Sequence, residues 1–273
     1  FCPEVAIGMG TPRPTLRLVG KAEQPRAVGS RDASLDVTDA LQVYSTNTAS
    51  RLDGLSGFVF KKDSPSCGME RVKVYNDKGM PQRDGTGIFA RAVQKANPLL
   101  PVEEEGRLND PVLRENFVSR VFVYARWQGL LQQGLSKKAL LDFHTSHKLL
   151  LMAHSPAAYR ELGRMLAVLG KVELDQLAGL YILRVMQVLK KPASRKRHVN
   201  VLQHILGYLR KHLDATSRAD LVDVIDSYRR GTVPLVVPIT LLQHSFRRRP
   251  HSWISRQVYM QPHPGELMLR NTI

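Results

Sequence analysis

Two cysteines are the residues of this 273-residue sequence best suited to metal chemistry, because both lie in segments rich in proline and glycine. Cys2 lies in residues 1–4, Phe-Cys-Pro-Glu, and Cys67 lies in residues 64–68, Ser-Pro-Ser-Cys-Gly. Such segments fix the backbone and leave amide N–H groups free to point at sulfur, as is common around iron–sulfur thiolates. The alternative is two unrelated free cysteines, because two thiolates are fewer than a cluster uses.

Histidines form a second group of candidate ligands. His144, His147 and Lys148 fall on one face of a predicted helix. Two such histidines suit a zinc ion, but no Glu or Asp lies at ligand spacing between them. We therefore favour a polar stripe that contacts RNA phosphate or packs against the first half of the chain, and keep a zinc hydrolase as a rival function.

The positive charge of the chain is concentrated in its second half. The whole sequence carries 40 Lys and Arg against 24 Asp and Glu, for a net charge of +16. Residues 1–135 hold 18 basic and 15 acidic residues, whereas residues 136–273 hold 22 and 9, together with all nine histidines. The resulting net charge of +13 in the second half exceeds what solubility requires, and nucleic acid is the first candidate for a polyanionic partner.

Short basic runs in the second half are the candidate RNA contacts. Lys and Arg near phosphates release counterions, and unpaired bases can then stack on aromatic rings. Any single run is also typical of a solvated helix face. The candidate phosphate contacts are Arg195, Lys196, Arg197, Arg247, Arg248 and Arg249, and the candidate stacking rings are Tyr159, Tyr208, Trp253 and Tyr259.

Extended and helical segments alternate in the first half of the chain. This alternation predicts an α/β domain with a doubly wound, parallel sheet, in which ligands bind beyond the carboxyl ends of the strands. The cysteine-containing segment 64–68 follows one of these strands directly. We expect strands at 15–19, 57–61 and 99–104, and helices at 38–52 and 87–96.

The second half reads as an all-α helical bundle. Ser136 and Ser155 stand at expected helix starts, the latter followed by Pro156 at the first helical position. We therefore predict an α/β domain at 1–110, a bridging amphipathic helix within 111–135, and a basic helical domain at 136–273 with a loop-rich tail from Pro250. The expected helices of that domain span 136–154, 156–170, 172–190, 194–213 and 217–228.

The start of the sequence and its apolar runs predict the cellular location of the protein. The longest apolar candidate, 233–242, is interrupted by Pro234 and Pro238 and is too short for a membrane span. We see no secretory leader, and two cysteines cannot form a disulfide scaffold, so we expect a cytoplasmic protein without a membrane partner. The chain begins with Phe, and we expect its natural beginning, with the first strand of the sheet, to precede this residue.

The segments around the cysteines resemble the thiouracil desulfidase (TudS) family. The resemblance covers Cys-Pro-Glu-Val at 2–5, Gly-Met-Gly-Thr-Pro-Arg-Pro at 8–14, and Lys-Lys-Asp-Ser-Pro-Ser-Cys-Gly at 61–68. The helical half, with Phe-His-Thr-Ser-His-Lys at 143–148 and Met-Ala-His-Ser-Pro-Ala-Ala-Tyr at 152–159, is similar to the YbgA-like domain often fused to that family.

This resemblance implies a cofactor and roles for single residues. In the family three cysteines hold a 4Fe–4S cluster with one open iron; two match Cys2 and Cys67, and the third lies in an N-terminal segment that this chain lacks. Glu4 and Ser64 occupy the positions implied for the base that activates water and for the donor that assists collapse of the intermediate. By residue type alone, Glu4 is an ordinary solvated carboxylate and Ser64 a turn hydroxyl, and Asp63 is a weaker rival for the acid–base role.

Together these expectations describe an RNA-directed, non-redox desulfidase. The α/β half would convert 4-thiouridine or 2-thiouridine in tRNA to uridine, or act on free thiouracil or thiouridine, and the basic half would hold the RNA. The alternative is a non-catalytic RNA-binding protein with a regulatory iron–sulfur cluster.

Overall fold

The chain divides into two compact units, Phe1–Asn109 and Asp110–Ile273. The structure is a computed structural model that describes residues 2–210 and 212–273. Among these residues, every helix is too short or too polar to cross a membrane. The helix that we expected to bridge the halves lies within the second unit.

Among its described residues, the first unit combines three α-helices and one short 3-10 helix (Arg107–Asn109) with six strands. The helices are α1 (Pro3–Ala6), α2 (Thr38–Ala49) and α3 (Ile88–Ala96), and the strands are β1 (Leu16–Lys21), β2 (Gln24–Gly29), β3 (Phe58–Phe60), β4 (Val72–Tyr75), β5 (Pro81–Gly85) and β6 (Val102–Glu104). The expected α/β composition is thus confirmed, and every strand and helix predicted in this half is present.

The sheet topology corrects the prediction of a doubly wound, parallel sheet. Four strands form one sheet in the order β2-β1-β4-β5, and only the central pair, β1 with β4, is parallel. β3 and β6 form a separate parallel pair. The antiparallel pairs follow from short connections, because a parallel pair needs a crossover of about a dozen residues or more. Residues 22–23 join β1 to β2, and residues 76–80, with Gly79 at φ 73°, join β4 to β5.

One face of this sheet packs against α2 and α3. Leu18 on β1 and Val74 on β4 point into this core together with Ala27 on β2, Leu41 on α2 and Ile88 on α3. Because successive side chains on a strand point to opposite faces, the residues between them lie on the other face of the sheet.

The second unit is helical, as predicted. Its main helices are α4 (Pro111–Gln133), α5 (Lys137–His154), α6 (Pro156–Leu166), α7 (Leu174–Leu189), α8 (Arg195–Leu209), α9 (Ala215–Arg230) and α10 (Val236–Arg248). The Ser136 and Ser155 side chains accept backbone N–H bonds at the starts of α5 and α6, as expected. The tail from Pro250, expected as loops, contains α11 (Ser252–Ser255) and three short 3-10 helices.

Helix α10 was not expected, because Pro234 and Pro238 interrupt its apolar run. Pro238 is the third residue of the helix, where a backbone N–H has no acceptor within the helix. A proline there removes no helical hydrogen bond, and the helix continues to Arg248.

Candidate active site

The two cysteines converge on one site of the first unit. Cys2 is exposed at the start of α1, and the partly buried Cys67 lies in the loop between β3 and β4. The pKa of Arg13 depends on Glu4 and on both thiols. Its hydrogen bond to Glu4 and the charge of Glu4 raise its pKa above the usual value, and thiolate charge on Cys2 and Cys67 raises it further. The positive charge of Arg13 therefore acts on both thiols.

Glu4 is buried at the centre of this site. Its side chain projects from α1, and only 8% of the residue is exposed. Arg13 Nε lies 2.5 Å from Oε2 of Glu4, and Ser66 Oγ donates a hydrogen bond of 2.7 Å to Oε1. Because burial without partners would be costly for a carboxylate, this pairing of both oxygens compensates for the burial of Glu4.

Within the described part of the chain, Ser64 is connected to Glu4 through Ser66. The Oγ atoms of the two serines are 3.0 Å apart. Ser64 Oγ also accepts the backbone N–H groups of Cys67 at 3.1 Å and Ser66 at 3.3 Å. The Ser64 hydroxyl thus closes the turn that carries the thiol.

Two glycines allow this turn to pack tightly against neighbouring backbone. A Cβ atom on Gly87 would lie 2.5 Å from the carbonyl oxygen of Ser66. A Cβ on Gly68 would lie 2.3 Å from the Val72 side chain. The Ser66 carbonyl also accepts N–H bonds from the first turn of α3, at Phe89 and Ala90. The loop is therefore held against the start of α3, which fixes the Ser66 hydroxyl toward Glu4.

The Cys67 thiol is partly buried, and Ser66 Oγ donates a hydrogen bond of 3.6 Å to its sulfur. Burial raises its pKa, hydrogen bonding from Ser66 partly offsets that increase, and the charges of Glu4 and Cys2 add to it. A metal cation would favour the thiolate instead. Within the described part of the chain, no group of three or more His, Cys, Asp and Glu side chains is placed to hold a metal ion. Thiolate is the ligand type of iron–sulfur clusters, and Cys2 and Cys67 supply the two thiols of this site.

Arg13 and Ser66 are the site residues that the sequence analysis missed. Both lie within the segments that carry the family resemblance, at 8–14 and 61–68, but neither was assigned a role. The predicted residues Cys2, Cys67 and Glu4 are brought together, and Ser64 stands one serine away from Glu4. The rival acid–base candidate Asp63 is exposed and lies 3.5 Å from Arg83.

The prediction of a polar stripe that contacts RNA is wrong for its two histidines, because both are buried. His147 is 2% exposed and its Nδ1 lies 2.7 Å from the Phe143 carbonyl oxygen. His144 is 9% exposed, hydrogen-bonded to the Tyr181 hydroxyl at 3.0 Å and stacked on Tyr159. Burial lowers the pKa of both imidazoles to about 4, so both are neutral at pH 7. These histidines belong to the core of the unit, which removes them from any RNA-binding surface.

Lys148, the third member of that stripe, stands among aromatic rings. Its Nζ lies 5.3 Å from the centroid of Trp253 and 5.7 Å from that of Tyr159. Trp253 stacks on Tyr208 at 5.1 Å. Two of the four candidate stacking rings thus flank one cation and a third, Tyr208, stacks on one of them; all three rings are partly exposed. The fourth ring, Tyr259, is fully buried and is dropped as a stacking candidate.

The two basic runs differ in their contacts with the rest of the protein. Arg195 donates to the Tyr228 carbonyl oxygen at 3.2 Å, and Arg197 donates to the His154 carbonyl oxygen. Lys196 between them is exposed and, with Arg197, lines a cavity of about 930 Å³. The run 247–249, at the end of α10, is exposed throughout.

Comparisons with known proteins support two joined regions. Residues 1–105 match the family model described as 2-thiouracil desulfurase, and residues 148–264 match a model described as a protein of unknown function, DUF1722. The uncharacterized protein YbgA of Escherichia coli (strain K12) is 39% identical over 154 residues, which cover 56% of this chain and 91% of YbgA. A solved 4Fe-4S-dependent thiouracil desulfidase, TudS, is 28% identical, with 40% of this chain and 68% of TudS covered at a TM-score of 0.31.

Proposed function

We propose that this member of the YbgA family is a thiouracil desulfidase, because its residues 1–105 match the family model described as 2-thiouracil desulfurase. The reaction replaces the thiocarbonyl sulfur of a thiolated uracil by the oxygen of water and releases hydrogen sulfide. No electron is transferred to or from the protein. The observation that carries the proposal is the buried carboxylate of Glu4, held between Arg13 and Ser66 beside the two thiols.

Glu4 is the general base of this reaction. A water molecule next to the carboxylate gives a proton to a Glu4 oxygen as its own oxygen attacks the carbon that bears sulfur. Arg13 and Ser66 hold the carboxylate in one orientation, so that little reorganisation is needed when the proton moves. Ser64 stays the proposed donor that assists collapse of the intermediate, and its Oγ also holds the turn and lies 3.0 Å from Ser66 Oγ.

Cys2 and Cys67 are the proposed ligands of a 4Fe–4S cluster. Bound there, the cluster would supply a Lewis-acidic iron for the thiocarbonyl sulfur, which makes the adjacent carbon more electrophilic. The sequence holds only these two cysteines, so a third ligand must come from elsewhere. Arg13 contributes charge compensation beside the thiolates.

The helical unit is proposed to hold thiolated RNA, with tRNA as the natural candidate. Its support is the net charge of +13 on residues 136–273, the exposed run 247–249 and the rings around Lys148. A target base within folded RNA would have to leave its stack, at a cost of a few kcal/mol that backbone contacts could offset. An enzyme for free nucleobases has no need of such a unit.

The proposal is tested by sulfide release after anoxic reconstitution with iron and sulfide. We expect turnover with 2- or 4-thiouracil, the corresponding nucleosides, or thiolated tRNA, and loss of bound iron together with turnover in Cys67→Ser. A reconstituted protein that binds iron and RNA but releases no sulfide from any of these substrates would contradict the proposal. That outcome would favour the non-catalytic RNA-binding alternative.

A further inference from the structure

Three cations lie side by side on the face of the four-stranded sheet that is turned away from its core. Lys73 on β4 is paired with Arg83 on β5. Arg17 on β1 and Lys73 each precede a member of the parallel pair Leu18–Val74, whose side chains are buried. Alternation along the strands therefore points Arg17 and Lys73 to the opposite face. The result is a row of positive charge across three adjacent strands.

This row is unfavourable for the unliganded sheet. Like charges directly opposite each other on neighbouring strands repel. Asp63 Oδ1, 3.5 Å from Arg83 Nη1, is the carboxylate that approaches the row. Arg17 lies over the Tyr75 ring at 5.4 Å, and its Nε is buried without a hydrogen-bond partner among the described residues. A buried donor without an acceptor is costly, and an anion would satisfy it while relieving the repulsion.

The space for such an anion exists. The three cations line a cavity of about 440 Å³, together with Ser30 and the turn residues Asp63 and Pro65. Pro65 lies between Ser64 and Ser66, so the turn that presents Ser66 to Glu4 also forms a wall of this cavity. One turn of the backbone therefore borders both the cavity and the Glu4 site.

We infer that this cavity binds a phosphate group of a substrate whose thiolated base reaches Glu4. Two guanidinium groups and an ammonium group are the donors that proteins use for phosphate. The inference rests on the proposed function for the identity of the base, and it makes that function more specific: the substrate is a nucleotide or an RNA, and free thiouracil lacks a group for this cavity.

The test is direct binding of product-like ligands, which requires no turnover. The protein is titrated at low salt with uridine, uridine 5′-monophosphate and a short oligouridine. We expect the monophosphate to bind at least about tenfold more tightly than uridine, and this preference to disappear in Lys73→Gln and in Arg83→Gln. Both side chains are exposed on the sheet face, so their replacement leaves the core intact. Lys95→Gln removes the same charge from α3, which packs on the core face, and keeps the preference.

The oligouridine separates the two sources of phosphate. Tighter binding of the oligomer than of the monophosphate, lost in Lys73→Gln, assigns the cavity to an RNA backbone, and the reverse order assigns it to a mononucleotide. Equal binding of uridine and its monophosphate by the wild-type protein overturns the inference, as does an unchanged preference in Lys73→Gln. Sulfide release is measured on the same preparations, so a failure of the desulfidase proposal is recognised separately.

Discussion

Ser66 donates a hydrogen bond from Oγ to Oε1 of Glu4 at 2.7 Å, although 62 positions separate the two residues in the chain. Because Cys2 is two residues from Glu4 and Cys67 directly follows Ser66, this contact ties the two cysteine segments to each other. It also leaves the carboxylate with defined partners on both oxygens, since Arg13 contacts the other one. The chemistry of the site therefore depends on how these segments meet. The role of each partner in this contact can be tested by a single substitution.

Glu4→Gln is expected to lower kcat for sulfide release by about 10²–10⁴-fold, because an amide cannot accept the proton of the attacking water. The amide keeps the size of the carboxylate, so iron content and thermal stability should change little. Glu161→Gln is the matched control. Glu161 also forms an ion pair with an arginine, Arg184, but in the helical unit. A Glu4→Gln enzyme within about twofold of the wild-type kcat would remove Glu4 from the mechanism.

Ser66→Ala is expected to lower kcat about tenfold while KM changes little, because the hydroxyl positions the base and does not hold the substrate. Ser34→Ala is the control, since the Ser34 hydroxyl donates a comparable hydrogen bond of 2.6 Å to the exposed Asp32. Steady-state kinetics of both variants on one thiolated substrate give the comparison. A rise in KM at unchanged kcat would instead place Ser66 in substrate binding.

The sequence predicts those site residues that belong to a short local pattern. Cys2, Cys67 and Glu4 could be named because each lies in a short segment with a recognisable pattern. Arg13 and Ser66 could not, since their roles depend on contacts between segments far apart in the chain.

The histidine stripe failed for a related reason. Helical spacing identifies a face, but it does not say whether that face points to solvent or to the core. His144 is buried because Tyr181, 37 positions away, lies against it.

The same distinction holds for the fold. Helix starts at Ser136 and Ser155 were predictable because a cap is a local hydrogen bond. Strands β2, β4 and β5 were missed. The sequences of β2 and β5, Gln-Pro-Arg-Ala-Val-Gly and Pro-Gln-Arg-Asp-Gly, have the composition of turns. Hairpins lay β2 against β1 and β5 against β4, and with these two antiparallel pairs the expected parallel sheet became a mixed one.

Acid is expected to destabilise the helical unit at mildly acidic pH. Burial lowers the pKa of His144 and His147 from 6.5 to about 4 and that of His198 to about 3. Below pH 6.5 the unfolded chain binds protons at these histidines while the folded chain does not. The free energy of unfolding therefore decreases as the pH is lowered. Each histidine contributes up to about 1.4 kcal/mol per pH unit within that window.

Tryptophan fluorescence measures this loss in the intact protein, because both tryptophans, Trp127 and Trp253, lie in the helical unit. Denaturant unfolding between pH 6.5 and about 5 limits the contribution of carboxylates. His244→Gln, at an exposed position, should keep the same pH dependence. A free energy of unfolding that is constant across this range would contradict the burial of the neutral histidines.

RNA binding should depend differently on the two basic runs. Replacement of residues 247–249 by Gln removes exposed charge only, so the slope of log affinity for tRNA against log salt should fall by about two, with an unchanged Tm. The same replacement at 195–197 also deletes the hydrogen bonds that Arg195 and Arg197 give to backbone carbonyls, so affinity and Tm should fall together. Fluorescence anisotropy across a salt series and thermal unfolding separate these effects. An unchanged salt slope in the 247–249 variant would show that this run does not contact phosphate, because lost phosphate contacts must reduce counterion release.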